Sequence, residues 1–394
     1  MLAIQRAEFE KRSAVLVERL RERELTGAVL FDAAYVLYYT GFAFIPTERP
    51  IALVVAADGS RRLLVPRLEL EHAAANAVVQ DVDHYPEYPA EEHPTAALAR
   101  LLGRLGVRDR FGADTDGYPW IFGYRGPSLG ELAGTKPEPV AALVEDQLAV
   151  KSPAEIELLR ESSKWANLAH SLLQRYTRPG LTETEVERRA STEATLAMLD
   201  AIGPVYRAQS AFSSGAEAGY RGQIGRNAAI PHSLASNIVF RIGDVLVSGA
   251  TAPVWGYHSE LERTMVIGPP TDEQRRLFEH MAALQRVAFD AIRPGARCSD
   301  VDRAVRAYYD EHELWPYWKH HVGHAIGLRY HEGPFLDVGD DTEIVPGMVF
   351  TVEPGLYAEG VGGFRHSDTV AVTEDGLDFL TFYPADLESL TLEA

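Results

Sequence analysis

The sequence predicts an α/β protein of two domains, the second of which contains two similar halves. Three observations predict this fold class. The chain has 394 residues, which is more than a single hydrophobic core usually organises. Its first part alternates between helix-like and strand-like segments, and its second part carries an internal repeat. We therefore expect one domain over residues 1–147 and another over residues 148–394.

The first domain shows the alternation of helices and strands that is typical of α/β domains. Residues 7–25 have the apolar spacing of an amphipathic helix. Three short apolar runs bounded by turn residues then predict strands: GAVLF, IALVVAA and RRLLVP. The segment PTAALARLLGRLG predicts a further helix. This order makes the first part of the chain an α/β domain.

The second domain is predicted to begin with a long helix, KSPAEIELLRESSKWANLAHSLLQRY. Ser152 is suited to cap its first turn, and Pro153 is suited to the first helical position. Glu155 stands where a capping box requires an acid. We place the domain boundary just before this helix.

An internal repeat follows in the second domain. RPGLTETEVERRA begins at Arg178, and RPGARCSDVDRAV begins at Arg293. Each follows a long helix, and each has Pro-Gly, a capping Thr184 or Ser299, and then an acid, a Val and an Arg at matched positions. Two α-α-β-β halves related by a pseudo-twofold axis would form a site between them, at their shared sheet.

Composition excludes several classes of partner. The net charge of −19 argues against nucleic acid and anionic membranes. The single cysteine, Cys298, excludes an intrachain disulfide and a cysteine-based zinc site. The N-terminus lacks the apolar core of a signal peptide, and the uncharged stretch AAYVLYYTGFAFIPT is too short for a membrane span. We expect a soluble, cytoplasmic protein that acts on a small molecule.

Four clusters of histidines or carboxylates fall in segments of the second domain that predict strands. Glu260 and Glu262 lie two positions apart in GYHSELERT, so on a strand both carboxylates face the same side. The other clusters are His232 in IPHSLASN, the histidines His320, His321, His324 and His331 in HHVGHAIGLRYHEGP, and Glu353 in MVFTVEPGLY. Such a combination is suited to hold either a metal ion or a cationic substrate.

These motifs resemble those of the pita-bread family, which includes prolidase, aminopeptidase P, methionine aminopeptidase and creatinase. The similar segments are GYHSELERT, GHAIGLRYHEGP, VEPGLY and HSDTVAVTEDG, and the resemblance covers residues 150–382. It implies a C-terminal pita-bread domain with an internal pseudo-twofold repeat, a ribonuclease H-like N-terminal α/β domain, and a homodimer.

The resemblance also implies where metal ligands would stand. Metal-dependent members bind two ions through Asp, Asp, His, Glu and Glu, and those positions match Val247, Glu260, His324, Glu353 and Ser367. Two of the five ligands are gone, at Val247 and Ser367, and a third is altered to Glu260. A dinuclear site needs bridging carboxylates to offset its charge. We therefore expect no metal cofactor. The alternative is one divalent ion held by Glu260, His324 and Glu353.

The segment ELERT is similar to the ALERT pattern of the metal-free creatinase branch. Glu262 is the residue that distinguishes this branch, because prolidase-like members usually have Thr at its position. This resemblance implies that Glu262 and Glu353 hold a guanidinium or amidinium group of the substrate. His232 would be the general acid–base, and His324 would donate a hydrogen bond. We expect a metal-independent hydrolase of a C–N bond in a guanidino or amidino acid, with creatine and cyclic amidines such as ectoine as the nearest class.

Further substrate contacts are expected from Glu260, which would recognise an extra donor or else pair with Arg263 or Arg365. Other candidates are His331, Arg49, Tyr257 and Phe364. Arg49 would enter the partner subunit's site or remain a loop charge beside Glu48, and the two aromatic residues would form apolar walls or belong to the core.

Two departures from the creatinase pattern favour other functions. The loop LRYHEGPFLDVG looks prolidase-like, and Ser367 stands where creatinase has His. The alternatives are an Xaa-Pro dipeptidase of the prolidase type with a reduced metal site, and a catalytically silent binding protein on the same fold.

Overall fold

A computed structural model describes residues 2–203 and 215–394 of the chain, which divides into two compact units. One unit is Ile4–Leu148. The other is Ala149–Ala394, to which the N-terminal residues Leu2 and Ala3 also belong. No helix in the described ranges has the length and apolar character needed to cross a membrane.

The first unit is an α/β unit, as predicted. Its elements are α1 (Arg6–Glu22), β1 (Gly27–Leu30), α2 (Ala33–Thr40), β2 (Ala52–Ala56), β3 (Arg61–Pro66), α3 (Leu70–Asn76), β4 (Asp81–Tyr85), α4 (Pro94–Arg104), β5 (Gly112–Ala113), α5 (Leu129–Ala133), β6 (Glu138–Pro139) and α6 (Ala141–Ala149). The strands form one mixed sheet in the order β4-β3-β2-β1-β5-β6. The predicted N-terminal helix, the three apolar strands and the helix after His93 are confirmed.

Apolar residues explain this sheet. β1 and β2 are buried at every position, as expected for short continuous apolar runs. Leu98, Leu101 and Leu102 of α4 recur at helical spacing and pack into one core cluster with Val29 and Val54 of the sheet.

The second unit contains two helix pairs and one large sheet. Its elements are α7 (Pro153–Tyr176), α8 (Glu183–Ile202), β7 (Glu217–Gly219), β8 (Val245–Thr251), β9 (Leu261–Ile267), α9 (Asp272–Ala291), α10 (Cys298–Glu311), β10 (Gly323–Ala325), β11 (Glu332–Leu336), β12 (Val349–Val352), β13 (Gly355–Ala358), β14 (Gly362–Arg365), β15 (Ser367–Thr373), β16 (Gly376–Phe379) and β17 (Thr391–Leu392). The main sheet runs β11-β10-β12-β15-β9-β8-β7, with β16 beside β15 and β17 beside β9, while β13 and β14 form a separate ribbon.

The helix starts in this unit follow partly from the sequence. At α7 the predicted cap is confirmed, because the Ser152 hydroxyl accepts the Glu155 N–H and the Glu155 carboxylate accepts the Ser152 N–H. The predicted caps Thr184 and Ser299 are wrong by two residues, since Thr182 and Arg297 precede α8 and α10. Both form isolated β-bridges, and a bridge requires the extended backbone that an N-cap residue adopts.

The internal repeat places the two halves side by side in the sheet. Strand β9 of the first half pairs with β15 of the second half, which sets Glu262 opposite Ser367 and Leu261 opposite Asp368. The residues at this junction come from distant parts of the chain. The sheet therefore brings the predicted carboxylates of both halves together.

Two fully buried histidines, His170 of α7 and His366 beside β15, lie in this unit. His170 Nε2 donates to Ser248 Oγ at 2.6 Å, and Ser248 Oγ donates to the Arg263 carbonyl at 2.9 Å. Burial lowers the pKa of His170 to about 3, and it lowers the pKa of His366 well below its ordinary value. Both side chains are therefore neutral in the folded protein.

We expect acid to destabilise the protein through these two histidines. Above the unfolded pKa of about 6.5, both states are neutral and the histidines cost no stability. Below it the unfolded chain binds protons that the folded chain does not, so each histidine costs about 1.4 kcal/mol per pH unit until its folded pKa is reached. Urea unfolding at about pH 7 and about pH 5 measures the slope.

The His170→Phe variant is the control for this prediction, because it keeps a ring against Tyr383, whose centroid lies 4.2 Å from that of His170. The slope of its unfolding free energy against pH should be smaller by about 1.4 kcal/mol per pH unit, which corresponds to one bound proton. Equal slopes for variant and wild type would contradict the role given to His170.

Candidate active site

Three of the predicted clusters meet at the junction of the two halves. Glu260 directly precedes β9, His324 lies on β10, and Glu353 directly follows β12. One ligand atom from each of these side chains can be chosen so that all three lie within 4.8 Å of one another. We call Glu260, His324 and Glu353 the Glu-His-Glu group.

Neighbouring polar groups orient the Glu-His-Glu group. Ser367 Oγ donates to Glu260 Oε1 at 2.7 Å. His324 Nδ1 donates to the Ala325 carbonyl at 2.9 Å, which leaves Nε2 directed at the carboxylates. Nε2 lies 3.2 Å from Glu353 Oε1 but has no partner in hydrogen-bond geometry among the described residues.

The charges in this group act strongly on one another. Burial, followed by the charges of Glu353 and Glu262, raises the pKa of Glu260 to about 8. Burial alone would lower the pKa of His324, but the carboxylates of Glu353 and Glu260 raise it to about 9. Burial opposes ionisation of Glu353, yet His324 and Arg365 hold its pKa well below its usual range. Such closely packed carboxylates favour an added positive charge.

The donor set of the Glu-His-Glu group fits a divalent metal ion. Two carboxylates offset a double positive charge, and the His324 Nε2 atom has no hydrogen-bond partner in the described part of the chain. A backbone carbonyl holds the opposite ring nitrogen, as is usual for histidine ligands. These features match a three-ligand site with an open position.

Glu262 is engaged by the protein itself. Arg365 Nη2 donates to Glu262 Oε1 at 2.8 Å, and Arg365 Nε donates to Oε2. Arg221 Nη2 also donates to Oε1, at 2.6 Å. The Glu262 side chain is 4% exposed and that of Arg365 is 3% exposed. The cation that Glu262 was predicted to take from a substrate is therefore already supplied by arginine.

A cavity of about 770 Å³ opens beside these residues. It lies between α8, β7, β8 and the loop before β11, and its lining carries both signs of charge. The charged and aromatic residues that line it are Glu187, Arg188, Glu217, Arg221, Glu260, Glu262, Tyr330 and His331.

Two further predicted site histidines, His331 and His232, lie at the surface. His331 is exposed, lines the cavity, and stacks its ring on that of His324 with centroids 4.0 Å apart. His232 lies in an exposed loop rather than in a strand. The Glu183 carboxylate accepts the N–H groups of Ser236 and Ile238 and so holds that loop outside the sheet. The general acid–base role of His232 stays a prediction.

The other predicted substrate contacts have partners elsewhere. Tyr257 and Phe364 are buried, and the Tyr257 hydroxyl donates to Glu155 Oε1 at 2.7 Å. Arg49 belongs to the first unit, where it pairs with Glu48 and, at 2.7 Å, with Glu87. Its entry into a partner subunit's site stays a prediction.

Glu260 does not form the ion pair that the sequence left open. Its carboxylate accepts from Ser367, whereas Arg263 pairs with Asp368 at 2.8 Å and Arg365 pairs with Glu262. Arg221 was not predicted at all. The sequence contains one signal, an Arg-Gly pair in a Gly-rich stretch, and in the structure Arg221 has a φ of 52°. That signal indicates a sharp turn but not which carboxylate the arginine contacts.

Comparison with known proteins identifies the family. The family model for Metallopeptidase family M24 matches residues 157–374, and that for the Creatinase/Prolidase N-terminal domain matches residues 12–146. The chain is 31% identical over 382 residues to a probable dipeptidase PepE of Mycobacterium tuberculosis, covering 96% of each protein.

Solved structures show the same fold. The dipeptidase PepE from Mycobacterium ulcerans is 26% identical with a TM-score of 0.84, and the match covers 99% of this chain and 100% of that one. A dipeptidase from Pyrococcus horikoshii OT3 is also 26% identical, with a TM-score of 0.80 and coverage of 97% and 100%. The predicted pita-bread fold, with its creatinase/prolidase-type N-terminal domain, is confirmed.

Two expectations are wrong. The creatinase-like, metal-independent function is overturned because the named relatives are dipeptidases and because the Glu262 carboxylate is already paired with the Arg365 guanidinium. The absence of a metal cofactor is overturned by the Glu-His-Glu group together with the match to a metallopeptidase family. This hydrolase belongs to metallopeptidase family M24.

Proposed function

We propose that this protein is a metal-dependent dipeptidase, a hydrolase of the peptide bond in two-residue peptides. The observation that carries the proposal is the Glu-His-Glu group, whose Glu260 lines the cavity. The probable dipeptidase that is 31% identical over almost the full length supports the same reaction.

The metal site would be formed by Glu260, His324 and Glu353. A divalent ion bound there supplies Lewis-acid polarisation of the scissile carbonyl and lowers the pKa of a water molecule. The protein's own contribution is to fix the ligands, through Ser367 on Glu260 and the Ala325 carbonyl on His324. Such supporting bonds set the orientation of ligands and the basicity of the imidazole.

The cavity lining suits a small zwitterion. A dipeptide carries an ammonium group at one end and a carboxylate at the other. Arg188 and Arg221 offer positive charge for the carboxylate, and Glu187 and Glu217 offer negative charge for the ammonium group. A substrate that lacks either charged end would leave part of this lining unpaired.

His331 is suited to handle a proton beside the scissile bond. Partial desolvation against His324, followed by the charge of His324, lowers the pKa of His331 and so favours its neutral ring. A neutral imidazole donates a hydrogen bond from one nitrogen and accepts a proton at the other. Its stacking on His324 places it next to the Glu-His-Glu group.

Chelation tests this function. We expect protein that is stripped with a chelator and then dialysed to lose dipeptide hydrolysis and to regain it with added Mn²⁺ or Zn²⁺. The reason is that the Glu-His-Glu group without an ion supplies no Lewis acid to polarise the scissile carbonyl. Release of free amino acids from Xaa-Pro and other dipeptides gives the rate.

Substrates without one charged end are the control for this experiment. N-acetylated dipeptides and dipeptide amides should be hydrolysed more slowly than the parent peptides. Undiminished hydrolysis after complete chelation would contradict the proposal. Failure of the metal-loaded protein to cleave any of the dipeptides would contradict it as well.

A further inference from the structure

We infer that the site holds a single metal ion and that the Arg365 guanidinium, paired with Glu262, takes the place of a second one. The inference rests on the proposed function, because it concerns the metal on which hydrolysis would depend. It assigns Arg365 a positioning role and Glu262 the role of its counter-ion.

The first argument is that Glu262 is not free to bind a metal. Its two oxygens accept three hydrogen bonds, two from Arg365 and one from Arg221. Its side chain is almost completely buried. Binding an ion would require the carboxylate to leave the buried Arg365 guanidinium, which would then lose its counter-ion, and this is strongly unfavourable.

The second argument is that Arg365 is held in place. Its Nη1 donates to the Tyr357 hydroxyl at 2.9 Å, and its backbone N–H donates to Thr264 Oγ1 at 2.8 Å. The Tyr357 hydroxyl donates in turn to His320 Nε2 at 2.8 Å, and His320 Nδ1 donates to the His321 carbonyl at 2.8 Å. The guanidinium cannot move away from Glu262 without breaking this chain of hydrogen bonds.

The third argument is the position of the guanidinium relative to Glu353. Arg365 Nε lies 3.6 Å from Glu353 Oε2, while His324 Nε2 lies 3.2 Å from Oε1 of the same carboxylate. Glu353 thus directs one oxygen at His324 and the other at Arg365. In a dinuclear site a carboxylate in this role bridges two ions, and here the second cation is a guanidinium.

The fourth argument is that the side chains nearby offer no second set of ligands. Val247 of β8 is fully buried and pairs with Thr264 of β9. Ser367 is opposite Glu262 in the sheet and uses its hydroxyl on Glu260. Within residues 2–203 and 215–394, the Glu-His-Glu group is the one cluster of three or more potential ligand side chains close enough to share an ion.

The balance of buried charge also favours one metal ion rather than two. The carboxylates of Glu260, Glu262 and Glu353 together carry three negative charges when ionised. The Arg365 guanidinium and one divalent ion supply three positive charges. A second divalent ion would leave a buried excess of two positive charges, before any contribution from Arg221, and an unbalanced buried charge is costly.

Metal stoichiometry tests the inference without relying on activity. The full-length chain, stripped of metal, is titrated with Mn²⁺ alone, and tightly bound Mn²⁺ is counted by calorimetry and by elemental analysis after gel filtration. We expect one ion per chain. The electron paramagnetic resonance spectrum should be that of an isolated Mn²⁺, without the signature of a spin-coupled pair.

A triple variant provides the converse measurement. Val247→Asp, Ser367→Glu and Arg365→Met together introduce two carboxylates and remove the guanidinium that takes the place of the second ion. If this variant folds, as judged by its melting curve, it should bind more than one Mn²⁺ per chain. If it does not fold, the wild-type count and spectrum decide the matter alone.

The outcomes separate this inference from the proposed function. Two tightly bound Mn²⁺ ions with a coupled spectrum, in a protein whose dipeptide hydrolysis is lost on chelation, would overturn the inference and leave the function standing. No bound Mn²⁺ and no hydrolysis of dipeptides would overturn both. One bound ion together with metal-dependent hydrolysis supports both.

Discussion

The Glu353→Gln variant is expected to hydrolyse dipeptides at least about 100-fold more slowly than the wild type. Changes to residues that only support a metal ligand typically cost about 10- to 100-fold in affinity or activity, and Glu353 belongs to the Glu-His-Glu group itself. The amide keeps the shape of the side chain, so the loss would report the missing charge rather than a damaged fold.

A second readout for this variant comes from His324. The Glu353 carboxylate helps to raise the pKa of His324 to about 9. Removing that negative charge favours the neutral imidazole, so the pKa of His324 in the metal-free variant should fall. Nuclear magnetic resonance titration of the ring detects the shift, and calorimetry with Mn²⁺ detects the weaker binding.

The matched control is Glu359→Gln. Glu359 is exposed and lies six positions further along the chain. Its loss of charge should leave hydrolysis, Mn²⁺ affinity and the pKa of His324 unchanged. Near-normal hydrolysis by Glu353→Gln would remove this carboxylate from the proposed metal site.

Much of the fold was predictable because local patterns encode it. The apolar runs of the first unit and the capping box at Ser152 depend on residues close together in the chain, and both are confirmed. The repeat at Arg178 and Arg293 indicated two similar halves. The caps of α8 and α10 were misplaced because β-bridges at Thr182 and Arg297, formed with residues far along the chain, fix those helix starts.

The site was predictable only in part. The spacing of Glu260 and Glu262, together with the motifs around His324 and Glu353, indicated side chains that would converge. The partners of Glu262 could not be read from the sequence, because Arg221 lies 41 positions before it and Arg365 lies 103 positions after it. The register that sets Ser367 opposite Glu262 depends on the pairing of β9 with β15.

Glu262 and Arg365 explain why the sequence predicted the wrong function. A glutamate in ELERT is compatible with binding a cationic substrate or with binding an arginine of the protein. The similarity to the creatinase pattern favoured the first interpretation. The structure places the Arg365 guanidinium against that carboxylate, and the relatives are named dipeptidases.

The Glu262→Gln variant is expected to lose about 3–5 kcal/mol of unfolding free energy, since it leaves the buried Arg365 guanidinium without its counter-ion. Arg365→Met should be similarly destabilising, because it strands the carboxylate with only the half-exposed Arg221. The double variant Glu262→Met, Arg365→Met should recover much of the loss, as replacing both partners of a buried ion pair by apolar groups is often close to neutral. Urea unfolding of all three gives the coupling free energy.

The surface pair of Glu273 and Arg276 is the control for this cycle. Its atoms are 2.7 Å apart, as close as those of many buried pairs, but its side chains are 44% and 41% exposed. Glu273→Gln should therefore cost only about 0–1 kcal/mol. If Glu262→Gln were no more destabilising than Glu273→Gln and instead weakened only substrate binding, then Glu262 would act on the substrate and Arg365 would not be its essential partner. A large loss that the double variant relieves would show that Glu262 serves to keep the guanidinium in the site.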